Sequence, residues 1–120
     1  MRYLLISEEL VPELLSAGLE EPILLFGRPP VAFFAVKPRC SLNYSGFSLD
    51  PVELVSVIRE AESRGLKMLG IYHVHDGPPI PSPRDRFFME IWRVFWLVRS
   101  SSTGSLKCWS VSGECRVGVV

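Results

Sequence analysis

The chain is expected to fold as an α+β (mixed α/β) domain, a sheet flanked by helices. Three observations predict this class. Short apolar, strand-like runs stand at both ends; segments with helix-capping signals lie between strand-like runs in the middle; and 120 residues, 48% of them hydrophobic, suffice for one core without disulfide or metal staples. No linker, repeat or low-complexity tract divides the chain, so one domain over residues 1–120 is expected.

The elements follow in order. Arg2 to Ile6 reads as a short strand, and Ser7 to Ala17 as a first helix with Pro12 in its opening turn. Pro22 to Phe26 and Val31 to Val36 are apolar runs around Gly27-Arg28-Pro29-Pro30, hence two strands and a turn. A helix begins at Asp50 as N-cap, with Pro51 in the first helical position, Glu53 placed to reach back and Gly65 as the stop. Leu54, Val55, Ile58 and Ala61 form its apolar face. Lys67 to His75 is then a strand. Ser82-Pro83-Arg84-Asp85 opens another helix, which gives way near Trp92 to the buried strand RVFWLVRS. A loop at Ser100 to Ser105 leads to a closing pair, Leu106 to Val111 and Glu114 to Val120, joined by Ser112-Gly113.

Charge and composition narrow the function classes. Thirteen basic residues balance thirteen acidic ones, so no net field recruits nucleic acid or an anionic membrane. No apolar run is long enough to cross a bilayer, and Tyr3 to Ile6 is stopped by Glu8 and Glu9 too soon for a signal peptide; the chain reads as cytoplasmic. Cys40, Cys108 and Cys115 are odd in number and lack zinc-finger spacing, which favours reduced thiols, with Cys108 and Cys115 as neighbours across a hairpin and Cys40 in a loop. Nothing matches a phosphate loop, His-Glu-x-x-His or the Pro-Cys-x-x-Cys of zinc deaminases.

Both histidines of the protein lie in GIYHVHDGPPIPSPRD, residues 70–85. On a strand, alternate residues share a face, so His73 and His75 project side by side while Val74 turns into the core. Two neutral imidazoles at that spacing are able to hold one metal ion. Asp85, in the first turn of the next helix, is a candidate third ligand through an oxygen. Two histidines and a carboxylate leave the fourth tetrahedral position of zinc open for water, as in a catalytic site, and zinc lowers the pKa of that water from about 15.7 toward about 7. A plainer reading stands beside this one. Histidines at a strand end often serve as ordinary hydrogen-bonding groups, and Ser82-x-x-Asp85 resembles a capping box that satisfies first-turn amides.

The combination, His-x-His followed by a short loop and Ser-x-x-Asp, resembles the JAMM (MPN+) zinc metalloprotease family, in a minimal prokaryotic or archaeal-type form. That family adds an upstream glutamate before an apolar strand, and EEPILLFG, residues 20–27, is similar to it. Glu20 occupies the usual glutamate position, with Glu21 as its rival. The element order matches along nearly the whole chain. The resemblance implies an MPN domain: a curved, mostly antiparallel sheet flanked by helices, of cytidine-deaminase-like architecture. Three departures stand at the site. Val74 replaces the usual serine or threonine, Asp76 a common proline, and the six residues between His75 and Ser82 are one fewer than usual.

The resemblance also implies roles. His73, His75 and Asp85 would hold Zn2+; Glu20, or alternatively Glu21, would act as general base; and Ser82 would donate a hydrogen bond to the developing oxyanion. The reaction would be hydrolysis of the peptide or isopeptide bond after the C-terminal glycine of a ubiquitin-like small modifier or sulfur-carrier protein. The extended tail of such a partner would add as a strand to an exposed sheet edge. Only Arg39 to Asp50, with Tyr44 and Phe47, is available as a loop to grip a partner. The competing expectation is a catalytically silent MPN domain serving assembly or homodimerisation through residues such as Phe87, Phe88 and Trp92, whose plainer role is core packing.

Overall fold

The computed structural model describes residues 3–38, 40–43 and 46–120, with side chains outside 40–49. The chain order is β1 (Tyr3–Ile6), α1 (Val11–Leu15), β2 (Ile23–Arg28), β3 (Val31–Val36), β4 (Cys40–Asn43), β5 (Gly46–Leu49), α2 (Pro51–Ser63), β6 (Lys67–His75), α3 (Pro83–Ile91), β7 (Phe95–Ser100), β8 (Leu106–Ser110) and β9 (Gly113–Val119). The mixed α/β class holds, and the expected curved sheet goes further, curling until it closes. Strands β1-β3-β2-β6-β7-β8-β9 close into a barrel.

Closure depends on β1, which pairs in parallel with β3 on one side and with β9 on the other. An open sheet would leave two rows of unsatisfied backbone groups, and four residues of β1 remove both edges. The β6–β7 pair is parallel as well, while β2–β3, β2–β6, β7–β8 and β8–β9 are antiparallel.

Several local expectations shift by a few residues. The first helix is shorter than Ser7 to Ala17: a 3-10 turn at Glu8–Leu10 runs into α1, with Pro12 in its first turn. Asp50 caps α2 by accepting from the amides of Val52 and Glu53 at 2.9 and 3.4 Å. The buried stripe of α2 is Leu54, Val57, Ile58 and Ala61, a clean i, i+3, i+4, i+7 set; Val55 falls off it and is exposed. The stretch expected to be a loop is a two-stranded sheet, β4–β5, so Cys40 opens a strand. Tyr44 and the side chain of Phe47 lie outside the described residues, as does the thiol of Cys40. Cys108 and Cys115 sit opposite one another across β8–β9, both free. Burial pushes the Cys108 thiol up to about 12, with Cys115 adding in the same direction.

Two apolar clusters lie on the two sides of the barrel wall. One fills the interior with Leu4, Ile6, Leu25, Tyr72, Val74 and Leu97. The other lies between the wall and helices α2 and α3, built from Leu24, Phe26, Leu54, Ile71, Met89 and Trp96. Strand β6 serves both, and a β-bulge sets which residue faces which. Its pairing with β2 passes from Leu25–Gly70 to Phe26–Met68, leaving Leu69 unpaired. Leu69 and Gly70 therefore both face the interior, and beyond them Ile71, His73 and His75 face the helices while Tyr72 and Val74 face inward. Gly70 sits in close quarters: a Cβ there would lie 3.1 Å from both Leu97 Cδ1 and the Phe95 carbonyl oxygen, so a larger residue requires its neighbours to give by a few tenths of an ångström.

Candidate metal centre

At the C-terminal end of β6 the helix-facing side of the strand changes from apolar to polar. His73 is fully buried, its ring edge-on to Trp96 with centroids 6.0 Å apart, and it meets the ring of His75 at 4.5 Å. The two Nε2 atoms are 2.8 Å apart. Asp85 Oδ2 lies 3.1 Å from His73 Nε2 and 3.3 Å from His75 Nε2. Two ligands held at about 2.1 Å by a tetrahedral zinc stand about 3.4 Å apart. The three donor atoms thus converge at nearly the spacing one cation requires, in a nitrogen–nitrogen–oxygen set that suits zinc.

The loop 76–81, although short, brings Asp85 to the histidines, and α3 supplies the aim. Asp85 shares the buried stripe of the helix with Met89, one turn on, so packing α3 against the barrel carries the carboxylate inward. The capping box is present too. Asp85 Oδ2 accepts from the Ser82 amide at 2.9 Å, and Ser82 Oγ accepts from the Asp85 amide at 3.1 Å. Capping and metal-ligand geometry are therefore not alternatives here. The same oxygen that caps the helix faces both imidazoles, and the cap fixes its rotamer. Trp109 Nε1 anchors the loop by donating to the Pro79 carbonyl at 3.0 Å, and the Ser101 amide donates to the His75 carbonyl at 2.8 Å.

Glu20 arrives from the other side. Its amide donates to the Val74 carbonyl at 2.9 Å, next to a parallel bridge between Leu19 and Val74. Its φ is +59°, in the left-handed region where a glutamate is strained. That backbone turns the carboxylate over the histidines: Glu20 Oε1 is 3.3 Å from His75 Nε2, and the ligand-type atoms of Glu20, His73 and His75 all lie within 4.8 Å of one another. The Glu20 side chain is 32% exposed against 13% for His75, so it borders the open side of the site. The carboxylate of Glu21 turns back instead, 3.0 Å from where a Cβ on Gly18 would stand.

The electrostatics follow from this convergence. Burial opposes ionisation of Asp85, yet hydrogen bonds with His73 and His75 outweigh it and hold the carboxyl well below the usual carboxylate range. The hydrogen bond to Asp85 raises the pKa of His75 against a smaller opposing effect of burial, with the charge of Glu20 acting in the same direction.

Sequence reasoning did not single out three residues that shape this region: Tyr72, Trp109 and Arg99. Tyr72 on the inward face donates to the Leu14 carbonyl at 2.7 Å, and Arg99 Nε donates to the Tyr72 hydroxyl at 2.7 Å. Burial raises the Tyr72 pKa although Arg99 lowers it, so the phenol stays protonated. The one signal in the sequence was an arginine inside the apolar run RVFWLVRS. Of the aromatic residues named for partner contact, Phe88 and Trp92 pack against the outer cluster, whereas Phe87 is exposed.

Residues 18–112 match the family described as prokaryotic homologues of the JAB domain, and the chain belongs to that family. Among curated proteins it is 37% identical over 75 residues to a desampylase of Pyrococcus furiosus, a match covering 62% of this chain and 53% of the relative. It is 38% identical over 55 residues to a probable TtuB-protein conjugate cleaving protease of Thermus thermophilus, covering 45% of this chain and 36% of that protein. The chain thus spans about half or less of the length of these relatives. Among solved structures, a protein from Desulfitobacterium hafniense superposes with a TM-score of 0.73 at 22% identity, covering 98% of this chain and 92% of the other. A JAB1/MPN domain protein from Archaeoglobus fulgidus gives 0.65 at 18% identity, covering 98% and 96%. Both share the fold.

Proposed function

We propose that this chain is a zinc-dependent metalloprotease of JAMM type, hydrolysing the peptide or isopeptide bond after the C-terminal glycine of a ubiquitin-like modifier or sulfur-carrier protein. One observation carries the reading: His73, His75 and Asp85 meet at ligand spacing while the carboxylate of Glu20 stands beside them on the open side. The desampylase and conjugate-cleaving relatives support the substrate class.

His73, His75 and Asp85 would hold the ion, which when bound supplies a Lewis acid and lowers the pKa of a water toward neutrality. Glu20 would take the proton of the attacking water as its oxygen bonds to the scissile carbon, and pass it to the amine as the carbon–nitrogen bond breaks. Ser82 Oγ accepts from the Asp85 amide and keeps its own hydrogen to donate to the carbonyl oxygen as that becomes charged. Localisation in the cytoplasm, organisation of the chain as one domain, and association into a homodimer belong to the same proposal. The dimer rests on Phe87 and Ile91, both exposed on α3.

The test incubates the protein with ubiquitin-like fusions, with and without chelator, beside Glu20→Ala and Glu21→Ala. Zinc-dependent cleavage lost in Glu20→Ala and kept in Glu21→Ala is expected. Cleavage that survives chelation removes zinc from the mechanism.

A further inference from the structure

Glu20 sits in a strained backbone conformation at the end of a short connection from α1, and something must hold that connection. The interior face of the barrel provides the hold. Tyr72 and Arg99 approach the C-terminal end of α1 from neighbouring strands, Arg99 standing opposite Val74 in the β6–β7 register. The Tyr72 hydroxyl donates to the Leu14 carbonyl at 2.7 Å; Arg99 Nε donates to the Tyr72 oxygen at 2.7 Å, and Arg99 Nη2 to the Leu15 carbonyl at 3.3 Å. Helix ends leave such carbonyls without partners inside the helix. Here two of them are tied to the barrel wall. Ala17, next along the chain, is buried in the interior cluster, and at Leu19 and Glu20 the chain joins Val74 on β6. The connection is thus fastened to the barrel wall at both ends, by the inward-facing side chains of Tyr72 and Arg99 at the end of α1 and by the backbone of β6 at Val74.

We propose that Tyr72 and Arg99 are positioning residues for Glu20: their hydrogen bonds to the end of α1 hold the connection that keeps the Glu20 carboxylate over His75. The proposal deepens the functional reading above and rests on it for the role of Glu20. Neither side chain reaches the metal ligands through its own polar atoms, so the network is expected to act on Glu20 and leave ion binding alone.

The test uses Tyr72→Phe, which removes both hydroxyl bonds at constant shape, and Arg99→Lys, which keeps one charged donor. The first readout needs neither substrate nor metal: amide hydrogen exchange at Glu20, whose N–H bonds to the Val74 carbonyl. Tyr72→Phe should speed it about tenfold or more while the β6–β7 ladder keeps its protection. The second readout is cleavage. In Tyr72→Phe kcat should fall about 10- to 100-fold with KM and zinc affinity unchanged, and Arg99→Lys should fall less. Unchanged Glu20 exchange overturns the proposal whether or not the protein cleaves anything. Altered exchange with unaltered kcat overturns it too, as does a loss of zinc affinity that parallels the loss of rate. A wild type that cleaves no ubiquitin-like fusion overturns the functional reading instead, and the exchange result then decides the positioning claim by itself.

Discussion

The two faces of β6 share one backbone and one sequence stretch but do opposite work. Inward, Tyr72 and Val74 join Leu25, Leu97 and Cys108 in an interior that is buried and, at Tyr72, hydrogen-bonded. Outward, Ile71 continues the apolar layer beneath the helices, and two residues later His73 and His75 replace it with imidazole. The inward face spends its energy on burial. The outward face accepts the cost of a buried histidine and carboxylate, which becomes tolerable because His73, His75 and Asp85 are partners of one another. Alternation along the strand gives each face its own chemistry, joined, on the proposal above, through the bond of Tyr72 to the end of α1.

Each face of β6 can be perturbed on its own. The largest effect is expected at Glu20→Gln, which keeps shape but removes the proposed base: kcat/KM should drop by about 10²- to 10⁴-fold, while thermal unfolding stays within about 0.5 kcal/mol of wild type. Near-normal turnover in that variant would take the outward face's chemistry away from Glu20. The inward counterpart is Leu97→Ala, expected to cost about 2–5 kcal/mol in denaturant unfolding. At temperatures where that variant is folded, its zinc affinity should match wild type, and a large loss of zinc binding there would show the two faces to be coupled.

Ser82→Ala probes a residue that caps α3 and is proposed to donate to the oxyanion as well. Loss of the cap should cost about 1 kcal/mol of stability, and loss of the oxyanion donor about 10²- to 10³-fold in rate. Measured together by calorimetry and steady-state kinetics, a stability loss without a rate loss would leave Ser82 as a cap only.

The smallest effect is one of pH. Because the folded pKa of His75 lies above its ordinary value of 6.5, its contribution to metal-free stability is full below that value and is lost as pH rises through the folded pKa. Asp85, shifted below its ordinary 3.8, contributes above that value and loses the contribution only as pH falls through its lowered pKa. The Tm of chelator-treated protein should therefore decline modestly from pH 6 to pH 8. Zinc needs the neutral imidazole, so the Tm increment from added zinc should grow over the same interval. An increment independent of pH would mean that His75 does not change its proton on binding.

Much of the candidate site's geometry was legible because its logic is local. Ser82, Pro83 and Asp85 announce a helix start within four residues, and the alternation of β6 puts His73 and His75 on one face whatever the rest of the chain does. Choosing between Glu20 and Glu21 was different. Adjacent carboxylates look alike in sequence, and only the left-handed turn at Glu20, held by its bond to Val74 more than 50 residues on, distinguishes their directions. The β4–β5 pair escaped for another reason: CSLN and GFSL mix serine, asparagine and glycine into four-residue strands and leave no apolar run of the kind that marks β1.

Residue spacing along the chain was enough to establish the element types outside β4–β5, the shared face of the two histidines and the capped start of α3, since each depends on contacts a few positions apart. Barrel closure through β1, the bulge at Leu69 that sets which way the histidines point, and the arrival of Glu20 beside them all depend on pairings between distant segments. Such pairings are selected by how the whole set of strands satisfies its edges and fills its interior, a competition that no short window of sequence contains.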